Sequence, residues 1–397
     1  MRRAAMFRVG FLLVCGGLLP VSGCGADPAG IPAATPPVVH VSPPFDSKRA
    51  RPDRGLVIRA QGGTLSQVLV YQDGEPVPGR LDAARTTWRT DWTLKPSAEY
   101  TVTATATREG APATVAMGRV RTRAAAKTFQ VAGTAPLPGE TVGTGMPVVI
   151  DFDTAIEQKA AVERALEIQS REPVEGAWRW VGDTQVIFRT RRFWAPRQQV
   201  TVVAHLAGVR AGEGLYGAAD STFSFTVGRR QTSTIDTTSH QMLVHRDGQV
   251  AQRMAISAGM ATTLEYTTTS GVHLTMDKGN PVRMISPGRK KGDPGFYDLM
   301  IDHAVRISNS GEYVHAKDNV WAQGRSNVSH GCVNARPDQA AWFYASSLRG
   351  DPVTITGTSR PLAWDNGWGF WQLPWEKWRQ GSALRKIDAA GSRVLKH

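Results

Sequence analysis

Residues 88–104 and 188–204 carry the same punctuation one hundred positions apart. Trp88 falls on Phe188, Arg89-Thr90 on Arg189-Thr190, Pro96 on Pro196, Thr101-Val102 on Thr201-Val202 and Ala104 on Ala204. That period is about twice the longest solenoid units, which run to roughly 50 residues. It suits two tandem sandwiches of immunoglobulin size, about 100 residues each. The local pattern agrees. Leu65 to Tyr71 is an apolar run closed by Asp73-Gly74, a hairpin turn. Tyr100 to Thr107 alternates with period two, as a half-exposed strand does. Tyr100, following Leu94-Lys95-Pro96, predicts a tyrosine corner in the first copy, which Val200 removes from the second.

A third unit begins near Gln231. Ile235, Met242-Leu243-Val244, Asp247-Gly248, Val250 and Met254 to Ile256 read as a meander of short strands. Pro337 at a first turn opens a helix to Leu348, and Asp351 to Thr356 reads as a closing strand. The expected fold is mainly β: immunoglobulin-like sandwiches at 45–125 and 126–229, a β-rich domain at 230–358, and a Trp-rich tail at 359–397. That tail holds Trp364, Trp368, Trp371, Trp375 and Trp378. Their rings could stack on sugars, but Trp is more often buried than ligand-facing, so the tail is expected to pack on the third domain.

The N-terminus addresses the chain. Arg2, Arg3 and Arg8 precede the apolar stretch Val9 to Pro20, and Val21-Ser22-Gly23-Cys24 follows. Residues 1–23 read as a secretory signal, and the cleavage region resembles a bacterial lipobox that makes Cys24 the lipidated first residue. Two acyl chains there would anchor the protein stably, where one would not. Residues 24–44 include Pro28, Pro32, Pro36, Pro37, Pro43 and Pro44. They read as a linker that can extend near 60 Å at about 3.1 Å per residue. The protein is therefore expected to be exported and held at the outer face of the membrane, in the wall space. No apolar run reaches the roughly 18 residues of a membrane span, which excludes a multipass protein. The formal charge of +13, less three Arg in the signal, leaves about +10. That suits an acidic polymer or a membrane surface. Scattered basic residues and an export signal argue against nucleic acid.

The three cysteines are Cys15, Cys24 and Cys332. After processing and lipidation Cys332 is the only thiol of an exported protein, where unpaired thiols are uncommon. It lies in Ser329-His330-Gly331-Cys332-Val333-Asn334, shortly after Gly311-Glu312-Tyr313-Val314-His315. A thiol attacks a carbonyl as thiolate, and a nearby His can take its proton. An active Cys332 is accordingly expected to titrate well below a free thiol, and an inert one to resist alkylation. Gly331 allows unusual dihedrals and close approach of substrate to the backbone. His303, His315, His330 and Cys332 could together bind a metal, but they lack the paired spacing of structural zinc, so no metal is predicted. Ser329 lacks the Gly-x-Ser-x-Gly elbow of a serine nucleophile.

On these residues the stretch 233–356 resembles the catalytic domain of L,D-transpeptidases, the YkuD-type enzymes of the bacterial cell wall. Ile307 to Gly311, Trp321-Ala-Gln-Gly324, Ala341 to Tyr344 and Leu373 to Trp378 extend the resemblance. Two sandwiches, a lipobox and a Trp-rich tail are similar to the actinobacterial members. The resemblance implies Cys332 as nucleophile and His315 as base, oriented by the carbonyl of Ala316. It implies that His330 and Gly331 shape the oxyanion region, with the N–H groups of Gly331 and Cys332 as donors. Ser329 and Asn334 would be supporting polar residues, and Tyr297 and Met284 would belong to a lid. It further implies acyl transfer without a cofactor between peptidoglycan stem peptides, a tetrapeptide donor and a diamino-acid acceptor, giving a 3→3 cross-link. Carbapenem-type β-lactams would acylate the same Cys. Hydrolysis of the thioester, giving a carboxypeptidase, and protein anchoring are alternatives, as is a wall-binding lipoprotein whose site has lapsed. The chain departs from the family pattern in a shorter spacer after His315, in Asp318-Asn319 where an aromatic residue is common, and in a lid from Pro287 to Asp293 rich in Gly, Lys and Arg.

Overall fold

In the computed structural model, which describes residues 34–384, the alternation at Tyr100 to Thr107 becomes strand Glu99–Thr107. Its Tyr100, Val102, Ala104 and Ala106 are buried while the residues between them are not. The Asp73-Gly74 turn joins Thr64–Gln72 to Glu75–Pro76, with positive φ at both turn residues as a type I′ hairpin requires. The tyrosine corner is present: the Tyr100 hydroxyl accepts the Lys95 N–H at 2.7 Å.

The hundred-residue repeat is structural. In the first sandwich one sheet runs Val38–Ser42, Val57–Gln61, Thr87–Thr90, Gly79–Leu81. The second sandwich has the matching order Val131–Ala135, Val148–Phe152, Gln185–Thr190, Gly176–Val181. The facing sheets also match, with Thr64–Gln72, Glu99–Thr107 and Thr114–Arg121 corresponding to Leu166–Ser170, Gln198–Ala204 and Ser221–Val227. Trp88 and Phe188 are buried at equivalent core positions. The sandwiches dock through Trp92 stacked on His205 at 3.7 Å and the Thr93 hydroxyl donating to Ala207 O at 2.6 Å.

The first sandwich begins earlier than the sequence suggests. Val38–Ser42, expected as linker, pairs antiparallel with Val57–Gln61. Its run of Val38, Val39 and Val41 is β-forming, and the flanking prolines end the strand without entering it. The expected signal peptide, Cys24 and the first part of the expected linker lie outside the described residues.

The third domain is built on a nine-stranded sheet. Its order is Gly271–Leu274, Pro352–Thr356, Gln231–Asp236, Gln241–Arg246, Gln249–Ser257, Val333–Ala335, Tyr313–Ala316, Ala304–Arg306, Lys278–Gly279. The helix Pro337–Ser346 buries Ala340 and Phe343 against this sheet, with Pro337 in its first turn. A hairpin of Val282–Ile285 and Asp298–Ile301 stands apart as the lid. The two short strands Tyr313–Ala316 and Val333–Ala335 pair in parallel, placing His315 opposite Asn334.

The tail corrects an expectation. It is buried, as Trp chemistry suggests, but chiefly on the second sandwich. Trp378 and Phe370 form a core with Val149 and Ile187, and the Trp378 indole donates to Ala177 O at 2.9 Å. Arg189 lies beneath, buried, donating to Phe370 O at 2.6 Å and Leu373 O at 3.0 Å. Its guanidinium lies about 5 Å from the rings of Trp371, Trp375 and Trp378. Burial without a carboxylate lowers its pKa to about 10. Contacts with the catalytic domain are fewer, among them Leu362 N–H to Ser270 O at 2.8 Å and Gln372 to Val272 O at 3.0 Å. The tail therefore clasps both units. A buried ion pair, Arg229 with Asp351 at 2.8 Å, reinforces the junction.

Candidate active site

The parallel pair of strands sets the chemistry. Gly331 precedes Val333–Ala335 with φ of 128°, a conformation that side-chain-bearing residues rarely adopt, and so turns Cys332 into the cleft. Two hydroxyls pin this turn. Thr268 Oγ1 donates to Gly331 O at 2.8 Å and accepts the Gly259 N–H at 2.8 Å. Ser329 Oγ donates to Cys332 O at 2.6 Å and accepts the Gly331 N–H at 3.0 Å. Ser329 is thus a brace for the loop. The Gly331 N–H, expected as an oxyanion donor, is engaged within the turn.

Cys332, His315, Tyr297, Met284, Ser329, His330, Gly331 and Asn334 all line one cavity of about 420 Å³. His315 is buried, and its Nδ1 donates to Ala316 O at 2.9 Å, which leaves Nε2 as the proton-accepting nitrogen. Burial lowers its pKa to about 4, so the imidazole is neutral at pH 7. The Cys332 thiol donates to Gly311 O at 3.5 Å rather than to His315. Cys332 is half-buried, and desolvation of its sulfur in the cavity wall pushes the thiol up to about 12, partly countered by the Tyr313 backbone N–H. This reverses the expectation of a depressed thiol pKa: the resting pair is neutral thiol and neutral imidazole, and the proton has to leave the sulfur as the new bond forms.

His330 is exposed at the cavity rim, packed between Tyr266 at 4.3 Å and Tyr297 at 5.5 Å between ring centroids. Burial raises the pKa of Tyr297. Arg289 of the lid grips Glu265 with two hydrogen bonds of 2.5 and 2.6 Å and lies 5.7 Å from the Tyr266 ring, latching the lid to the far wall. Asn334 is buried beside His315 on the adjacent strand. His303 is elsewhere, packed against Tyr344 of the helix at 5.8 Å, so the four residues weighed as metal ligands do not converge. Among the described residues no group of three or more His, Cys, Asp or Glu is close enough to hold an ion.

Sequence reasoning missed Glu312. It is a buried carboxylate in the cavity wall, accepting from Thr269 N at 2.7 Å and from Thr269 Oγ1 at 2.8 Å. Thr269 in turn meets His273, which is also buried. This network fixes the loop facing Cys332. A Glu between Gly311 and Tyr313 carries no sequence signal of burial.

A family model described as L,D-transpeptidase catalytic domain matches residues 230–355, and one described as bacterial Ig domain matches residues 47–210. The chain is 35% identical over 344 residues to L,D-transpeptidase 2 of Mycobacterium tuberculosis, covering 83% of this chain and 81% of that protein. It is 36% identical over 323 residues to L,D-transpeptidase 5 of the same species, covering 80% of this chain and 70% of the relative. A solved L,D-transpeptidase in complex with imipenem matches at 32% identity and a TM-score of 0.49, covering 57% of this chain and 98% of that one. With a relative of this identity spanned over most of its length, the chain belongs to the L,D-transpeptidase family and is a transpeptidase.

Proposed function

We propose that the enzyme joins peptidoglycan stems by 3→3 cross-links through a thioester on Cys332. The observation that carries this reading is the Nδ1 hydrogen bond from His315 to Ala316 O, which turns the basic Nε2 of a neutral imidazole toward the cavity shared with Cys332. In the first step the sulfur attacks the carbonyl of the third residue of a stem tetrapeptide. Its proton passes to His315 Nε2 and then to the nitrogen of the leaving D-Ala, as that C–N bond breaks and the thioester forms. In the second step the side-chain amine of a diamino acid on another stem attacks the thioester. An amide forms, and the amine's proton returns through His315 to the departing sulfur. No cofactor enters this cycle.

With the Gly331 N–H engaged by Ser329, the Cys332 N–H and the Tyr297 hydroxyl are the groups assigned to the oxyanion. Met284 and Tyr297 on the lid side of the cavity bear on the donor peptide, and His330 shapes the entrance. A carbapenem-type β-lactam offers a strained amide to the same sulfur and acylates it with ring opening. The lipid on Cys24 and the linker after it would hold the enzyme at the outer face of the membrane, within reach of the wall.

The test is mass spectrometry of purified disaccharide-tetrapeptide incubated with the enzyme and with Cys332→Ala. Dimers lacking one D-Ala, absent with the variant, support the proposal. Tripeptide monomers alone would make the enzyme a carboxypeptidase, and unchanged substrate in both samples would move the reading to a wall-binding lipoprotein.

A further inference from the structure

The two sandwiches enclose a second concave site, remote from the thiol. Its cavity, about 890 Å³, is lined by Lys48, Arg49, Arg121, Arg123 and Arg210 against a single acid, Glu213. Few of these cations are neutralised. Arg121 pairs with Glu99 at 2.8 Å. Arg123 is held by the hydroxyl and ring of Tyr216, whose hydroxyl also donates to Asp53 Oδ1 at 3.5 Å. Arg210 donates to Gly212 O at 3.2 Å. Lys48 and Arg49 are exposed and make no ion pair among the described residues. A neighbouring cavity of about 780 Å³ shares Lys48 and Arg49 and adds Arg51 and Arg54, so the basic lining continues across the first sandwich. Arg51 is paired there with Asp53 at 2.6 Å.

The cleft is fixed in shape. Trp92 stacked on His205, the Thr93 bond to Ala207 and the Arg123 bond to Tyr216 all cross the seam between the sandwiches. Like charges held together in such a seam repel one another, and the sandwiches need none of them for their cores. Guanidinium forks match phosphate oxygens in pairs, which favours phosphate over isolated carboxylates. Concavity favours a chain over a bilayer, because a flat headgroup surface cannot enter a cleft between two domains.

We propose that this inter-sandwich cleft binds a linear phosphodiester polymer, with Lys48, Arg49, Arg123 and Arg210 contacting successive phosphates. Such a polymer would hold the enzyme on an anionic wall component while the distant thiol works on stems.

The experiment uses the full chain carrying Cys24→Ser, which cannot take a lipid, and labelled poly(glycerol phosphate) followed by fluorescence anisotropy across a salt series. Lys48→Ala/Arg49→Ala is compared with Arg108→Ala/Arg253→Ala, which removes equal charge from exposed positions outside the cleft. The expected result is binding that the cleft variant weakens about tenfold, with the slope of log affinity on log salt falling by about 1.4 for two lost phosphate contacts. The control pair should leave both unchanged, and stem transpeptidation should be unaffected in either variant. Equal binding by the cleft variant, or no binding of the polymer, overturns the proposal. So does binding of phosphatidylglycerol vesicles that depends on Lys48 and Arg49 without polymer binding, since that would make the face a membrane contact.

Discussion

Alkylation of Cys332 tests the resting state of the catalytic pair. Burial holds the thiol near 12 and the His315 imidazole near 4. At pH 7 a thiol of that pKa is ionised in about one molecule in 10⁵, against about 3% for an ordinary thiol near 8.5. The thiolate deficit is about 3.5 powers of ten. A more basic thiolate is also the better nucleophile, with a Brønsted slope of roughly 0.45, which returns about 1.5 of those powers. Iodoacetamide should therefore label the free enzyme about a hundredfold more slowly than free cysteine. The assay is intact-mass labelling from pH 6 to 10. The log rate should climb with unit slope and without a plateau, and His315→Gln should label at nearly the same rate, since no imidazolium supports the resting sulfur. That variant should still lose stem transpeptidation, because the base is needed as the bond forms. A plateau below 8.5 that disappears in His315→Gln would refute this reasoning and establish a preformed thiolate–imidazolium pair.

Three further outcomes follow from the geometry. His315 is held neutral by burial, its pKa lowered to about 4 from 6.5, so the unfolded chain binds the extra proton between those values. Stability should fall as the pH drops through that window, on the order of 3 kcal/mol from this residue. Urea unfolding of wild type and His315→Gln at pH 4 and 7 reads the difference, and the acid limb of kcat/KM should lie near 4 instead of 6.5. For Gly331→Ala, a new Cβ has room, with its nearest neighbour at 3.8 Å, but φ of 128° is strained for any side chain. A cost of about 1–3 kcal/mol is expected by thermal unfolding, with a drop of about a hundredfold in kcat as the sulfur shifts; unchanged kcat would contradict the role given to this turn. Trp378→Ala empties a fully buried site on the second sandwich and removes the donor to Ala177 O. About 3–5 kcal/mol should be lost in urea unfolding, whereas a loss below about 1 kcal/mol would mean that the tail docks elsewhere.

The parts legible in the sequence are those written in local periodicity or in rare residue types. The alternation at Tyr100 to Thr107 and the copy at 188–204 are enough for two sandwiches, because strands and their turns are local patterns. The thiol of Cys332, shortly after His315 in the sequence, is informative because Cys and His are scarce and chemically committed. What stayed illegible depends on neighbours distant in sequence. Trp378 reads as buried, but nothing in its spacing says that Val149 and Ile187 would cover it. Arg189 reads as a surface cation until the tail folds over it. Glu312 reads as solvent-facing until Thr269 supplies its donors. The direction of the thiol pKa follows from desolvation of a half-buried sulfur by the cavity wall, and motif chemistry alone pointed the other way. Val38–Ser42 was detectable in principle, since three valines in five residues outweigh the prolines around them.

The proposed thioester on Cys332 is read most directly by intact-protein mass spectrometry under denaturing quench within the first turnovers on a disaccharide-tetrapeptide. A transient species heavier by the disaccharide-tripeptide acyl group is expected, localised to Cys332, released by hydroxylamine and absent in Cys332→Ala. Dimer formation by wild type with no such adduct, or an adduct that persists in Cys332→Ala, would contradict it.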